Sequence, residues 1–217
     1  MTGPFHGKQV YLYQLEIVTF VKKVYAIGAM TEKFFIMEKM ILETVMNPTL
    51  NFIFSRRSVR RYEKREIPAA VFTDLFEAAM AAPSAVARDP WHFLLVQDRK
   101  MLDRIAGVLP HGKMLLQAPA AVIACGDITR AHSSELSYLL QDVSAAVENL
   151  LLAATALGLG SCWLGMHPRP DRVAGIKELF SLPENIIPMC GIALGWPAET
   201  PPPRTRYNPE RVHREKW

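Results

Sequence analysis

The sequence predicts an α+β fold in which one small sheet is packed by several helices. Two uninterrupted apolar segments, residues 118–126 and 187–195, are typical of central strands that are buried on both faces. Residues 136–157 carry a wide apolar face at helical spacing, which predicts the longest helix. Strands and helices do not alternate regularly, and the chain has no GxGxxG or GxxxxGK(S/T) motif. A dinucleotide-binding fold and a P-loop fold are therefore not indicated.

The elements follow in order from periodicity and turn signals. Asn47 and Pro48 suit the first turn of a short helix, and Pro83 ends the helix that follows. Beyond Pro197 the chain is a proline-rich tail without strand signals. The remaining predicted elements are helix 69–82, strand 91–97, helix 98–108, strand 118–126, helix 136–157, strand 161–165, helix 170–180 and strand 187–195.

Composition divides the chain near residue 46. Residues 1–45 form an extension whose apolar part is interrupted by charges, which disfavours a membrane span or a signal peptide. We expect this extension to be helical and dispensable, or to reflect an upstream start, and residues 46–217 to form the functional domain. The net charge of +4 is mild, so no nucleic-acid partner is implied. The three cysteines are widely spaced in apolar segments and predict buried free thiols in the cytoplasm, and no spacing suggests a metal site.

A basic cluster follows the first short helix. It consists of Arg56, Arg57, Ser58 and Arg60. Guanidinium groups and a serine hydroxyl are donors that suit phosphate oxygens. Two further arginines, Arg204 and Arg206, follow a run of three prolines near the C-terminus. Both ends of the domain could converge on one phosphate, and a solvated basic turn is the alternative.

Two further stretches could hold a flat ligand. Residues 81–93 are rich in small residues, which allow close approach to the backbone, and Trp91 could wall a pocket. Residues 158–165 form a glycine-bounded turn that would expose backbone N–H groups. Gln141 and Asp142 interrupt the apolar face of the longest helix, and we expect both to be exposed unless they face a ligand or a partner.

From about residue 46 to its end, the chain resembles the nitroreductase superfamily of flavin mononucleotide (FMN) oxidoreductases. Residues 54–60 resemble the opening Arg-Arg-Ser phosphate motif of that family, and residues 82–93 resemble its Pro-Ser-x-x-Asn-x-Gln-Pro-Trp loop. Residues 158–165 resemble its glycine-rich flavin turn, and residues 194–197 with 204–217 resemble its C-terminal end. The four motifs occur in the right order, which gives them combined weight.

The resemblance implies a three-layer α-β-α sandwich with a small mixed sheet, a swapped C-terminal tail and an obligate homodimer with two FMN sites. It implies that the phosphate and ribityl end is held by Arg56, Arg57, Ser58 and Arg60, with Arg204 or Arg206. The flavin ring would be lined by Pro83, Ser84 and Ala85 of the same or the partner subunit. The further predicted cofactor contacts are Gln141 and the amides of Leu164 and Gly165, the latter near the reactive ring nitrogen.

The chain departs from the family pattern at two positions. Ala87 stands where the family usually has Asn, and Asp89 stands where it often has Gln. The missing amide would ordinarily bind the flavin ring. Asp89 could accept a hydrogen bond from the ring, but its charge would disfavour the anionic reduced flavin, and Arg88 could offset that charge.

The implied function is hydride transfer from NADH or NADPH to the flavin and onward to a nitroaromatic, quinone or similar acceptor, by a ping-pong mechanism. No catalytic residue is predicted, because the chemistry belongs to the flavin. Residues 111–117 and 129–136 are expected to cover the pocket and to select the acceptor. The alternatives are dehalogenation or ene reduction on the same scaffold, a flavin-binding protein without turnover, and a basic interaction module.

Overall fold

A four-stranded antiparallel sheet forms the centre of the domain. The computed structural model describes residues 48–217, in which the strands are β1 (Trp91–Val96), β2 (Ala120–Asp127), β3 (Gly160–Gly165) and β4 (Ile186–Gly195). Their order in the sheet is β1-β2-β4-β3, so that β1 and β3 form the edges. Every residue of β2 is buried, as predicted for a central strand.

Helices cover both faces of this sheet. The described helices are α1 (Asn51–Ser55), α2 (Ala69–Met80), α3 (Arg99–Val108), α4 (Leu136–Ala156) and α5 (Pro170–Phe180). Short 3-10 turns span Pro48–Leu50, Ala85–Ala87, Lys113–Leu116, His132–Ser134 and Pro209–Arg211. The predicted helices and strands are therefore confirmed within a few residues at each end.

The alternation of side chains along β2 divides the core into two layers. Val122 and Ala124 belong to the buried cluster that includes residues of α2 and α4. Ala121 and Ile123 belong to the cluster that includes residues of α3 and α5. The three-layer α-β-α arrangement is thus confirmed.

Helix α4 lies unusually close to the sheet. A Cβ atom placed on Gly126 would lie 2.5 Å from Leu139 Cδ1, and both residues are buried. Helix α4 ends at Ala156, and Gly158 then adopts a φ of +79°, a conformation that glycine adopts without strain.

Three expectations need comment. The expectation of a mixed sheet is wrong, because all pairings between the four strands are antiparallel. Within the described residues, parallel pairing is limited to an isolated bridge between Ser58 and Ser161. Trp91 is 7% exposed and packs in the core, and its expected place in a pocket wall remains a prediction. The three cysteines are buried free thiols, as predicted.

The predicted boundary near residue 46 remains a prediction. Contacts divide the chain after Asn51, and residues Phe52–Trp217 form one compact unit. The extension at 1–45 lies outside the described residues. Among the described helices, none is sufficiently long and apolar to cross a membrane.

Candidate flavin-binding site

The basic cluster lies along the free edge of β3. The N–H of Val59 donates to the C=O of Ser161 at 2.9 Å, and Ser58 pairs with Ser161 as a parallel bridge. Val59 is buried, and it packs so closely that a Cβ on Gly160 would lie 2.7 Å from its Cγ1. This anchoring fixes the segment and leaves the neighbouring Arg60 exposed.

The C-terminal segment joins the basic cluster. The N–H of Arg60 donates to the Glu199 carboxylate at 2.6 Å, and the Arg57 guanidinium donates to the C=O of Pro202. The N–H of Arg204 donates to the C=O of Phe54 at 3.2 Å. The predicted convergence of the two chain ends is therefore seen at Arg204.

The charge balance of the cluster remains favourable to an anion. Arg56 pairs with Glu148 of α4 at 3.5 Å, and both side chains are partly exposed. Arg204 and Arg206 are exposed and form no ion pair with the described residues. Because exposed ion pairs are weak, a phosphate could compete for these guanidinium groups.

The loop that follows α2 is held by an internal hydrogen-bond ring. The Ser84 hydroxyl donates to the Asp89 carboxylate at 2.5 Å and accepts from the Asp89 N–H at 2.9 Å. Between them, Val86 and Ala87 adopt φ values of +49° and +54°, which are unusual for residues other than glycine. Pro83 is exposed, and Ser84 and Ala85 are half-buried. The loop thus presents small side chains from a fixed backbone.

Asp142 of α4 anchors this loop through a hydrogen bond to its backbone. Its Oδ1 accepts from the N–H of Ala85 at 2.9 Å. Asp142 is only 5% exposed, so the expectation that it lies at the surface is wrong. Position 142 lies on the same helical face as Leu139 and Val143, which carries this carboxylate into the core.

Two buried polar atoms at the site have no hydrogen-bond partner among the described residues. They are Oδ2 of Asp142 and the hydroxyl oxygen of Ser161. Buried polar groups are normally paired, so such atoms mark positions where a ligand or water can bind. Gln141 is exposed, and its amide donates to the C=O of Ser137 at 3.1 Å.

The end of β3 is open. Leu164 is buried, whereas Gly165 is exposed, and a Cβ placed on Gly165 would meet no atom within 4 Å. Backbone groups alternate sides along a strand, and the C=O of Ser161 points away from β4. We infer that the N–H of Gly165 points outward as well, while the backbone of Leu164 faces β4.

Helix α4 connects the two halves of the site. The loop contacts it at Asp142 and the basic cluster contacts it at Glu148. Six residues of α-helix correspond to about 9 Å along the axis. The phosphate donors and the loop with small side chains therefore contact the same helix at points about 9 Å apart along its axis.

Cys162 of β3 is a buried thiol close to the basic cluster. Burial raises the pKa of Cys162, although Arg60 and a hydrogen bond with Ser58 act in the opposite direction. Burial likewise raises the pKa of Cys125, to about 12. Both thiols are therefore protonated at neutral pH.

The sequence matches the Nitroreductase family over residues 53–114 and 106–196. A curated relative from Methanothermobacter thermautotrophicus, named as a candidate NADH dehydrogenase/NAD(P)H nitroreductase, is 46% identical over 168 residues, which is 77% of this chain and 87% of the relative. A crystal structure from Parabacteroides distasonis, with the same candidate name, aligns with a TM-score of 0.74 at 40% identity over 79% of this chain and 100% of its own.

A further solved structure was determined with a bound cofactor. It is a candidate nitroreductase from Desulfovibrio desulfuricans in complex with FMN, which aligns with a TM-score of 0.69 at 29% identity over 79% of this chain and 99% of its own. The family match includes the basic cluster, the loop and the end of β3, and it stops before Arg204. On this match and these relatives, the chain belongs to the nitroreductase family.

Proposed function

We propose that this chain is an FMN-dependent oxidoreductase that passes electrons from NAD(P)H to a nitroaromatic, quinone or similar acceptor. One observation carries the proposal: a phosphate-type donor cluster that is anchored on β3 and a fixed loop of small residues both lie along helix α4. Family membership makes the chain an oxidoreductase with FMN and NAD(P)H as cofactors. The nature of the acceptor and a ping-pong order are proposed here.

The donor set suits the phosphate end of FMN. Arg56, Arg57, Ser58 and Arg60 supply guanidinium and hydroxyl donors, and Arg204 and Arg206 add two exposed guanidinium groups. We assign these residues to the phosphate and ribityl chain. An incoming phosphate would exchange the weak contacts with Glu148 and Pro202 for charge-assisted hydrogen bonds.

The accessible backbone of the loop and of the end of β3 suits the flavin ring of FMN. Pro83, Ser84 and Ala85 offer no bulky side chain, and Gly165 leaves free space above the end of β3. We assign the outward N–H of Gly165 to a ring nitrogen, with Leu164 beside it and Gln141 at the rim. The unpaired oxygens of Asp142 and Ser161 give ring or ribityl hydroxyl groups two acceptors, directly or through water.

Bound FMN would supply the redox chemistry, by accepting a hydride from NAD(P)H and giving two electrons to the acceptor. The residues of the chain position the ring, neutralise the phosphate and keep the redox site free of a competing thiolate. The Ser84 hydroxyl donates a hydrogen bond to the Asp89 carboxylate, which reduces the repulsion between this carboxylate and the reduced flavin ring.

We further propose a homodimer in the cytoplasm with exchanged C-terminal tails. Tyr207, Val212 and Trp217 are large apolar side chains that remain exposed on the tail. Trp217 stacks on His213 with ring centroids 4.3 Å apart. Contact with a second copy would cover these side chains, which supports the exchange.

Anaerobic reduction of the FMN-loaded protein tests the proposal. Addition of NADH or NADPH is expected to bleach the oxidised flavin bands, and a nitroaromatic or quinone is expected to restore them. Ping-pong order predicts parallel lines when initial rates are plotted in double-reciprocal form at several donor concentrations. Bound FMN that neither donor reduces would instead favour a flavin-binding protein without turnover, an alternative that Ala87 and Asp89 keep open.

A further inference from the structure

A polar cleft lies beside the loop that follows α2, outside the residues assigned to FMN. It has a volume of about 580 Å³ and lies between that loop and the segment after β2. This volume lies within the range of small-molecule sites, roughly 300–1,000 Å³. Its polar lining consists of Arg88, Thr129, Arg130, Ser133 and Ser134.

The lining carries positive charge without compensation. Among the described residues, neither Arg88 nor Arg130 forms an ion pair, and no acidic residue lines the cleft. Glu135 follows Ser134 in the sequence and does not line the cleft, and two further carboxylates that flank the lining segments are already engaged. Asp89 is bound by Ser84, and Asp127 accepts from Thr129 and from Asn185.

The hydrogen bonds at Asp127 also make it a stable anion outside the cleft. Desolvation would raise its pKa, but hydrogen bonds from Thr129 and Asn185 outweigh that effect and lower it. Asp127 therefore fixes the turn that leads to Arg130. The Arg130 guanidinium reaches across to the C=O of Arg88 at 3.4 Å, which brings the two arginines to opposite sides of one opening.

The backbone on both sides of the cleft is held in an unfavourable conformation. Ala87 on one side, and Ser133 and Ser134 on the other, each adopt a φ of +54°. Such conformations persist where the surrounding structure enforces them, and they concentrate at ligand sites. Here they aim two serine residues and a loop backbone at the same space.

We propose that this cleft binds an anionic group, a carboxylate or a phosphate, of a molecule that exchanges electrons with the flavin. The inference rests on the proposed function, because Ala87 and Arg88 continue the loop assigned to the flavin ring. Two guanidinium groups and the hydroxyl groups of Ser133 and Ser134 provide the donors that such an anion needs, while the Thr129 hydroxyl is already bound to Asp127. The anion comes either from an acidic aromatic acceptor or from the additional phosphate of NADPH.

Matched pairs of substrates distinguish these two sources. The acceptor pair is 4-nitrobenzoate and 4-nitrobenzamide, which differ in charge but hardly in shape, and the donor pair is NADPH and NADH. For each pair we compare kcat/KM as a ratio, with 4-nitrobenzoate over 4-nitrobenzamide and NADPH over NADH. In Arg130→Gln, one of these two ratios is expected to fall by about fivefold to tenfold, which is the effect of losing one charge-assisted hydrogen bond. A fall in the nitrobenzoate ratio assigns the cleft to the acceptor, and a fall in the NADPH ratio assigns it to the donor.

Control variants separate charge from folding. Arg104→Gln removes an exposed arginine of α3 that lines a different cavity, and it should change neither ratio. Arg130→Lys keeps the charge and should recover part of the effect. If both ratios stay within about twofold of the wild-type values in Arg130→Gln and in Arg88→Gln, the proposal is wrong, because an anion bound between the two arginines requires the larger loss stated above.

A binding measurement keeps this test separate from the proposed function. Calorimetric titration of the FMN-loaded protein with benzoate and benzamide needs no turnover. Tighter binding of benzoate in the wild type, reduced in Arg130→Gln, would support an acceptor carboxylate even if NAD(P)H failed to reduce the flavin. Equal binding of benzoate and benzamide, together with an unchanged NADPH ratio, would overturn the anion site while leaving the oxidoreductase assignment intact.

Discussion

Replacement of Gly165 by alanine isolates the claim that the flavin ring lies over the end of β3. In the structure, a Cβ at this position would meet no atom within 4 Å. The free protein should therefore tolerate the methyl group, and loss of glycine flexibility should raise the free energy of unfolding by about 0.5–1 kcal/mol. With FMN bound, the same methyl group would occupy the space assigned to the ring.

The expected cost falls on binding alone. Forcing a methyl group into a filled contact typically costs about 1–3 kcal/mol, and 1.4 kcal/mol corresponds to a tenfold change in dissociation constant. We therefore expect Gly165→Ala to weaken FMN binding by about tenfold or more. The assay is titration of the cofactor-free protein with FMN, followed by flavin fluorescence, together with thermal unfolding without FMN.

Gly107 of α3 supplies a matched control. A Cβ at Gly107 also meets nothing within 4 Å, and this residue lies on a helix remote from β3 in the sequence. Gly107→Ala should raise stability by about as much, roughly 0.5–1 kcal/mol, without changing FMN affinity. If Gly165→Ala binds FMN within twofold of the wild type, the ring does not lie where we assign it.

Three further predictions concern buried polar groups. Asp142→Ala leaves the Ala85 N–H unpaired, and it should lower Tm by about 3–8 °C and weaken FMN binding. The control Asp103→Ala breaks an exposed pair with Arg99 and should shift Tm by less than about 2 °C. Equal shifts in these two variants would contradict the role of Asp142. The cysteines should react with a thiol reagent only after unfolding, and rapid labelling of the native protein at pH 8 would refute their burial. The pKa of Asp127 is lowered in the folded state, so its carboxylate stabilises the fold above the unfolded pKa of about 3.9, and this stabilisation is lost as pH falls through the folded pKa. The difference in unfolding free energy between the wild type and Asp127→Asn, measured by urea unfolding, should therefore shrink as the pH is lowered. A difference that widens would contradict this role.

The elements of the fold could be predicted because each depends on local pattern. Helical periodicity predicts helix α4, and a continuous apolar run predicts strand β2. Strand order could not be derived in this way, since the pairing of β2 with β4 joins residues that are far apart in the chain. That pairing depends on tertiary packing, which the local pattern does not encode.

The site shows the same division. The arginine cluster was visible as a motif, but its contact with Glu199 spans 139 residues and leaves no local signal. The burial of Asp142 could have been read from the sequence, because position 142 falls on the apolar face between Leu139 and Val143. The polarity of an aspartate predicts exposure at this position, whereas the periodicity of the apolar face predicts the burial that the structure shows. The polar cleft at Arg88 and Arg130 depends on two separate segments, and the sequence indicated only the second as a pocket cover.

The most direct test of the central claim compares FMN with riboflavin. The two molecules differ only in the phosphate, for which we assign the segment from Arg56 to Arg60. Several charge-assisted hydrogen bonds to one phosphate predict that FMN binds at least about a hundredfold more tightly than riboflavin at low salt, with a smaller gap at high salt. Equal affinity for both flavins, or failure to bind either, would contradict the account.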